Sequence, residues 1–305
     1  MPKFSIIIPT YNRKELLKER ALKSLLNQTY KDFEVIVIND GGEDVSDVIE
    51  EYKDKGLDIK YISYKENKGP SYARNRGIEI TQGEWMGFLD DDDEYLDNTL
   101  EEINKNLNNE LRWIMMPVIY TNNLKTKIIP NLRLIKIKSS YLYKTLFKLS
   151  YFNIGSFILH KNLFKEVGLI NEDLKVAEDF EYFLRLIENN FRPHFIEKPL
   201  YIYYYNIHKN QNTKKFSEYI NSLSIIYNKH KEYLENDKEL KADFLYKIGW
   251  YYLRVEEEMA FRYFKESFFL KPNIKTFLRM IITIMRLNRI AEKIINKALN
   301  KFWLE

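Results

Sequence analysis

The chain has 305 residues, enough for a full hydrophobic core and a smaller appended unit. Its composition, 45% hydrophobic and 30% charged, excludes wholesale disorder, and the lack of cysteine excludes disulfides, thiolate metal sites and cysteine nucleophiles. The net charge of +4 is uneven, since residues 206–305 hold 19 Lys and Arg against 12 Asp and Glu. The apolar stretch at the start is too short for a signal peptide and no run is long enough to span a bilayer, so we expect a cytoplasmic protein.

Strand and helix signals alternate through the first third of the chain. Continuous apolar runs predict strands at 4–8 (ended by Pro9), 33–40, 58–65 and 84–90. Apolar residues at helical spacing predict helices after the first strand, near 45–55 and at 71–81. This alternation predicts an α/β fold with a mostly parallel sheet covered by helices on both faces.

Each predicted strand is followed by a polar cluster. The clusters, in chain order, are "PTYNR", "NDGGED", "KENKGPSYARN" and "DDDDE". Ligands of parallel sheets gather at the carboxyl ends of the strands. Four such clusters on one edge therefore predict a single site.

The fourth cluster contains four consecutive aspartates. Because alternate residues at a strand end point the same way, Asp90 and Asp92 are expected to face the site together and to suit Mg²⁺ or Mn²⁺. Asp91 is expected to turn away or stabilise a neighbouring turn, and Asp93 to cap the helix that begins near Asn98 or to assist the metal. A solvated acidic turn is the alternative reading.

A phosphatase of the haloacid dehalogenase type is a further alternative, because it also places Asp-x-Asp after an apolar strand. That class needs Thr or Val two residues beyond the second Asp, where this chain has Glu94. The sequence therefore disfavours it.

The remainder of the chain changes character twice. Residues 111–138 are β-like, an amphipathic helix is predicted at 178–190, and the pattern becomes purely helical beyond a boundary near residue 210. Within that helical region one stretch resembles a tetratricopeptide repeat at Ile248, Gly249, Tyr252, Ala260, Phe264, Ser267 and Pro272. A plain helical appendage is the alternative.

Four segments together are similar to the family 2 glycosyltransferases of GT-A fold. They are "SIIIPTYNR", "FEVIVINDGGED", "NKGPSYARNRGIEITQGEWMGFLDDDDEY" and "EDFEYFLRL", in the family's order, within residues 3–210. The resemblance implies a nucleotide-diphosphate sugar donor, with a UDP-sugar as the first expectation, a divalent cation (Mn²⁺ or Mg²⁺) and inversion at the anomeric carbon. The acceptor would be a hydroxyl of a glycan or of a lipid-linked acceptor.

The resemblance also implies roles for residues of the donor pocket. Pro9, Thr10 and Tyr11 would line the nucleoside pocket, while Asp40 would accept a hydrogen bond from the base. Arg74, supported by Asn75, would lie against the base or diphosphate, and Asp90 would meet the ribose or sugar. Further donor contacts are expected from Arg13, Asp91 and Lys68, with Lys65 as another phosphate contact. Many members carry two aspartates where this chain has Asn39 and Asp40, followed by Gly41 and Gly42.

The remaining implied roles are chemical. Asp92 would ligate the metal, with His208 near the diphosphate as a further candidate ligand, and Asp179 would be the catalytic base beside Glu178, an acceptor or orienting contact. The chemistry itself supports these roles, because a metal at Asp92 would stabilise the leaving diphosphate. A carboxylate on the opposite face of the sugar would take the acceptor's proton. An acidic first helical turn is the alternative for Glu178 and Asp179.

Two other functions remain open on the sequence. One is a non-catalytic nucleotide-sugar-binding or adaptor protein that presents its helical tail, which the presence of Asp92 and Asp179 disfavours. The other is a sugar nucleotidyltransferase, although "PTYNRKE" replaces the Gly-rich basic loop of that class. Residues 273–305 form a basic amphipathic segment that predicts either a core helix or peripheral contact with an anionic membrane. No nucleic-acid partner is expected.

Overall fold

A computed structural model describes residues 1–122, 125–129, 153–205 and 213–284, with side chains in the last range from residue 216. Contacts divide the chain into two units, Met1–Lys209 and Asn210–Glu305. The predicted roles of His208, of 130–138 and of most of the basic segment 273–305 therefore fall on residues outside the described ranges.

The first unit contains two sheets. Its first four strands lie on the apolar runs that predicted strands in the sequence. The strands are β1 Phe4–Thr10, β2 Phe33–Asp40, β3 Ile59–Tyr64, β4 Trp85–Phe88, β5 Glu94–Tyr95, β6 Trp113–Met115, β7 Val118–Thr121, β8 Thr126–Ile129, β9 Phe157–His160, β10 His194–Phe195 and β11 Tyr201–Tyr204. All eight residues of β2 are buried, as expected for a strand covered on both faces.

Helices of the first unit occupy the intervals between strands. They are α1 Lys14–Leu16, a π-helical segment Leu17–Leu22, α2 Lys23–Leu26, α3 Ser46–Asp54, α4 Pro70–Ile80, α5 Thr99–Asn106, α6 Asn162–Glu166 and α7 Glu178–Glu188. The α/β class and the mostly parallel central sheet predicted from the sequence are confirmed.

The central sheet has seven strands in the order β10-β6-β9-β4-β1-β2-β3. Strand β1 lies between β2 and β4 and runs parallel to both. The chain therefore builds outward from β1 to β3 and then places β4 on the other side of β1. Such a reversal opens a crevice at the carboxyl ends of the two strands, where ligands of open α/β sheets bind.

Strand β1 is two residues longer than the sequence predicts. Pro9 does not end it, because β1 continues to Thr10 and Pro9 stands opposite Ile38 of β2. The ladder with β4 ends earlier, at Ile7 and Phe88. The N–H that proline lacks would point to the β4 side, beyond the end of that ladder, so no sheet hydrogen bond is lost.

The second sheet has four strands in the order β5-β11-β7-β8. Strand β5 follows the aspartate run at once and pairs antiparallel with β11, with Tyr95 opposite Tyr201. Both tyrosines are fully buried and their rings meet edge to face at 5.9 Å. The aspartate run is thus held between two sheets.

The second unit is helical throughout its described part. Its helices are α8 Thr213–Lys229, α9 Lys231–Asn236, α10 Lys238–Tyr252, α11 Glu257–Leu270 and α12 Ile274–Ile284. Residues of the tetratricopeptide-like pattern lie where α10 meets α11: a Cβ added at Gly249 would stand 3.0 Å from the Phe264 ring, and Ser267 donates to the Ala242 carbonyl at 2.8 Å. Within the described ranges, no helix is long and apolar enough to cross a membrane.

Candidate active site

The loop after β1 and the loop after β4 meet through hydrogen bonds. Thr10 Oγ1 donates to Asp91 Oδ2 at 2.8 Å. Nη1 of Arg13 donates to Asp91 Oδ1 at 2.9 Å and to Asp92 Oδ2 at 2.8 Å. Asp91 therefore does not turn away from the site, because its carboxylate is the acceptor that joins the two loops.

Negative charge is crowded at this position. Burial raises the pKa of Asp91 to about 6, although Arg13 opposes the shift. Burial also raises the pKa of Asp92, again against Arg13 and with help from Asp90. The positive charges nearby therefore do not fully compensate the acids. Perturbed acids of this kind are common at functional sites.

The β1 loop is tied to the β2 loop by two hydrogen bonds. The side-chain Oδ1 of Asn12, a residue with φ of 53°, accepts from the Glu43 N–H at 2.8 Å, and the Glu43 carboxylate accepts from the Lys14 N–H at 3.1 Å. A Cβ added at Gly42 would stand 2.6 Å from the Asn12 nitrogen, so a residue with a side chain at position 42 would force the loops apart. This contact gives a physical reason for the glycine in the second polar cluster.

The third anchor of the site is Arg74 of α4, whose side chain is 4% exposed. Its Nη2 donates to Asp90 Oδ1 at 2.7 Å and its Nη1 to Glu178 Oε1 at 2.8 Å. Although burial opposes the positive charge, the two carboxylates raise the pKa of Arg74. One guanidinium thus joins the aspartate run to the start of α7.

Asp179 lies in the first turn of α7, next to Glu178. Its Oδ1 accepts from the Phe180 N–H at 2.7 Å, and a helix N-terminus favours the charged carboxylate. Ala177, directly before the helix, has φ of 63°. Non-glycine residues in this conformation are uncommon and cluster at functional sites, and here the turn directs Glu178 to Arg74.

Asp40 fixes the loop that precedes α4. Its two carboxylate oxygens accept from the N–H groups of Lys68 and Gly69, both at 2.8 Å. Gly69 has φ of 93°, and the Lys68 ammonium lies 4.8 Å from the centroid of the Tyr72 ring. Hence both carboxylate oxygens of Asp40 hold the loop before α4, and the hydrogen bond from a base stays a prediction.

The other residues expected in the donor pocket differ in exposure and in their contacts. Tyr11 is 46% exposed at the crevice and Pro9 is half-buried within β1, while Lys65 is exposed on the loop after β3. Asn75 does not support Arg74. Its amide donates to the Ile170 carbonyl at 2.8 Å and to Glu172 at 2.7 Å, because the following helical position turns toward the loop before α7.

Asp93 neither caps α5 nor faces the site. It is fully buried and accepts from the Tyr201 hydroxyl and from the Tyr204 N–H, the latter at 3.0 Å. The turn after β4 directs Asp93 to β11, where its carboxylate is the acceptor for these two donors. The helix that follows has Asn98 at its N-cap.

Sequence reasoning missed two residues of this region. Arg20, on the π-helical segment, donates to the Asp92 carbonyl at 2.6 Å, and its guanidinium lies 3.9 Å from the centroid of the Tyr204 ring. The apolar spacing of "KELLKERALKSLLNQ" gave no sign of a π turn, a feature frequent at functional sites. The aromatic run "YIYYYN" was the available signal for Tyr204.

The residues present fit a divalent cation that draws most of its ligands from a substrate. Asp92 has a side chain 21% exposed, and Mg²⁺ commonly takes one or two carboxylates together with phosphate oxygens and water. No group of three or more Asp, Glu or His residues is arranged to hold an ion within the described ranges. A cage built of protein ligands alone is therefore not seen in these parts of the chain.

The chain is similar in sequence to known glycosyltransferases. A relative from Campylobacter jejuni, named GalNAc(5)-diNAcBac-PP-undecaprenol beta-1,3-glucosyltransferase, is 40% identical over 110 residues, 35% of either chain. This chain spans 40%, 14% and 35% of the lengths of three curated relatives that it matches, including that one.

Two solved structures share the fold. S. aureus TarS 1–349 in complex with UDP-GlcNAc aligns over 92% of this chain and 89% of that chain, with a TM-score of 0.59 and 20% identity. The mannosyltransferase PcManGT from Pyrobaculum calidifontis, in complex with GDP-Man and Mn²⁺, aligns over 93% and 80%, with a TM-score of 0.58 and 14% identity. The predicted GT-A fold is confirmed by these likenesses.

The family follows from the matched segment and its position in the fold. The family model described as glycosyl transferase family 2 matches residues 5–168, more than half of the chain. That segment contains β1 to β4, the crevice between β1 and β4 and the whole aspartate run. The chain belongs to glycosyl transferase family 2.

Proposed function

We propose that this chain is an inverting, metal-dependent glycosyltransferase that moves a sugar from a nucleotide-diphosphate donor, with UDP-sugars first in line, to a hydroxyl of a glycan or lipid-linked acceptor. The observation that carries the proposal is the double ion pair of Arg74. It brings the aspartate run and the acidic first turn of α7 to one edge of the sheet. This arrangement supports a donor clamp at the aspartate run and a general base at the start of α7.

The donor side is supplied by the loops after β1, β2 and β4. Thr10 and Asp91 join the loops at the base of the crevice, the exposed Arg13 offers positive charge to a diphosphate, and the buried Arg74 holds Asp90 in place. Asp40 holds the wall formed by the loop before α4. A divalent ion at Asp92 would stabilise the charge that develops on the leaving diphosphate.

The acceptor side is supplied by the start of α7. An acceptor hydroxyl is a poor nucleophile at neutral pH, so a general base is needed. Asp179 is suited to that role, since it lies in the first turn of α7 beside Glu178, which Arg74 holds at the edge of the site. Attack from the face opposite the diphosphate would invert the anomeric configuration.

The comparisons support the ligand classes. The TarS structure holds UDP-GlcNAc, the PcManGT structure holds GDP-Man with Mn²⁺, and the Campylobacter relative is named for an undecaprenol-linked substrate. These facts concern the named proteins. For this chain they support a nucleotide-sugar donor, Mn²⁺ or Mg²⁺, and a lipid-linked glycan as the first acceptors to test.

The proposal is tested first by binding and then by transfer. Titration calorimetry with UDP and GDP, each with Mn²⁺ or with EDTA, is expected to show metal-dependent binding of UDP. Incubation with a panel of UDP-sugars and lipid-linked acceptors is then expected to give a glycoside whose anomeric configuration, read by NMR, is opposite to that of the donor. Retention of the donor configuration, or UDP affinity that ignores Mn²⁺, contradicts the proposal.

A further inference from the structure

One nitrogen atom of Arg13 bridges two carboxylates of the aspartate run. Its Nη1 is 2.9 Å from Asp91 Oδ1 and 2.8 Å from Asp92 Oδ2. The two aspartate side chains are 4% and 21% exposed, whereas the Arg13 side chain is 42% exposed. A solvent-facing cation thus closes the opening of a largely buried pair of acids.

The other arginine on this turn has a different task. Arg20 donates to the main-chain carbonyl of Asp92 and lies over the Tyr204 ring, so its hydrogen bond fixes the backbone and does not go to the carboxylate. Arg13 is therefore the arginine that neutralises the Asp92 carboxylate in this arrangement. The Arg13 guanidinium therefore occupies the side of the Asp92 carboxylate at which a divalent cation would bind.

The residues on both sides of Arg13 are hydrogen-bonded to the β2 loop, whereas the Arg13 side chain is 42% exposed. Asn12 and Lys14 are tied to Glu43 by the hydrogen bonds described above. The guanidinium contacts the site through a long, rotatable chain, and rotation about those bonds moves the charge several ångströms without moving the loop. The loop geometry therefore suits a side chain that changes partner.

We propose that Arg13 is a built-in counter-cation, which holds the Asp92 carboxylate while no divalent ion is bound and transfers its guanidinium to the donor diphosphate when ion and nucleotide enter. This inference rests on the proposed metal-dependent function and adds a mechanism for its order of binding. A divalent ion arriving alone must compete with Arg13. With nucleotide present, the diphosphate accepts the guanidinium and the competition ends.

Two opposite effects of a single substitution follow. In Arg13→Gln the competing charge is gone, so Mn²⁺ alone is expected to bind about tenfold more tightly than to the wild type, the low end of the effect of one charge-assisted hydrogen bond. UDP in saturating Mn²⁺ is expected to bind about tenfold more weakly, because the diphosphate has lost a partner. Electron paramagnetic resonance of free Mn²⁺ measures the first affinity and calorimetry the second.

Two further variants separate competition from a general change of charge. Lys14→Gln removes the same charge from the next residue, where Lys14 pairs with Asp47 at 2.7 Å, and is expected to leave both affinities within about twofold. Arg13→Lys keeps a cation with similar reach and is expected to restore the weak Mn²⁺ binding of the wild type. If Lys14→Gln reproduces the gain in Mn²⁺ affinity, the effect is long-range and the inference is wrong.

Thermal unfolding supplies a second readout. In EDTA, Arg13→Gln is expected to melt below the wild type, because Asp91 and Asp92 then lie together without their cation. Mn²⁺ is expected to raise the melting temperature of the variant more than that of the wild type. A melting temperature of Arg13→Gln that does not respond to Mn²⁺ contradicts the inference.

The two levels of the proposal fail in distinguishable ways. If the wild type binds UDP in a Mn²⁺-dependent manner but Arg13→Gln shows no gain in nucleotide-free Mn²⁺ affinity, Arg13 is a static partner and this inference alone is overturned. If the wild type shows no Mn²⁺-dependent UDP binding, the metal-dependent function is overturned and the counter-cation role falls with it.

Discussion

The two ends of the central sheet each bury a carboxylate and treat it differently. At the amino end, Glu34 of β2 is fully buried, with Lys60 Nζ, Ser5 Oγ and the Gln82 N–H all at 2.6 Å. Although burial alone would raise it, these hydrogen bonds lower the pKa of Glu34 below its usual range. At the carboxyl end, burial dominates and raises the pKa of Asp91 to about 6.

The opposite pKa shifts of Glu34 and Asp91 distinguish a buried carboxylate that stabilises the fold from one that lies at the candidate site. Glu34 has a lysine from the neighbouring strand and two further donors, so its charge is satisfied by the fold itself. The aspartates after β4 outnumber the cations that reach them. An excess of buried negative charge lowers the stability of the protein without a ligand, and it favours the binding of a cation at this site.

The largest expected effect is at the carboxyl end. Asp92→Asn is expected to abolish transfer and the Mn²⁺-dependent part of UDP affinity, while the protein stays folded because the change removes charge from an overcrowded site. Calorimetry and thermal unfolding measure the two properties. Unchanged Mn²⁺-dependent UDP affinity in this variant would show that the metal is held elsewhere.

A smaller effect, confined to turnover, is expected from Asp179→Asn. A general base acts in the chemical step, so kcat is expected to fall about 10²- to 10⁴-fold while donor binding remains near that of the wild type. Steady-state kinetics with calorimetric UDP binding as the control makes the comparison. Parallel losses of UDP affinity and turnover would contradict this division of roles.

A substitution at the amino end of the central sheet is expected to lower the stability of the protein and to leave nucleotide binding unchanged. Glu34→Ala leaves Lys60, Ser5 and the Gln82 N–H without their acceptor, and the free energy of unfolding is expected to fall by about 3 kcal/mol. Urea unfolding measures the loss. Glu50→Ala, which breaks an exposed pair with Lys53 on the surface of α3, is the matched control and is expected to change little.

The smallest effect is a difference in pH dependence, measured in EDTA. Asp91 has a folded pKa above its usual 3.8, so its contribution to stability is present below about pH 4 and is lost as pH rises through about 6. Asp91→Asn lacks this loss and is expected to exceed the wild type by about 2 kcal/mol at pH 8, with no advantage below pH 4. An advantage of equal size at both pH values would show that the gain does not come from ionisation.

Glu34 should show the opposite slope. Its folded pKa is lowered, so its stabilising contribution is present above its usual value of 4.5 and is lost as pH falls through the folded pKa. The deficit of Glu34→Ala is therefore expected to shrink in acid, while the advantage of Asp91→Asn grows between about pH 4 and about 6 and then levels off. Urea unfolding of both variants across pH tests whether the two ends of the sheet differ in this way.

Much of the fold was readable because long apolar runs and glycine-rich or proline-rich breaks are local signals. β2 was predicted with its observed bounds, and α7 within two residues of its end. The edge of the sheet that carries the site followed from parallel topology, since each polar cluster comes directly after a strand. Pro9 was misread because its effect depends on which neighbour its missing N–H faces, a fact of pairing and not of local sequence.

The contacts within the site were less readable, because they join residues far apart in the chain. Asp93 and Tyr201 are 108 positions apart, and Arg74 and Glu178 are 104 apart. The run of four aspartates carries no mark that assigns one to Arg74, one to Arg13 and Thr10, and one to β11. Those assignments depend on the turn after β4 and on the second sheet, which three-dimensional packing determines.

The attachment of Asp93 to β11 bears on where the catalytic part of the chain can be shortened. The segment matched by the family model stops at residue 168, yet Tyr201 and Tyr204, which hold the aspartate turn, lie beyond it, as does Asp179. A fragment cut at 168 would lose the strand that pairs with β5 and leave Asp93 buried without its donors. A fragment that keeps the aspartate turn and its partners together therefore has to extend at least through β11, and the first unit ends at Lys209.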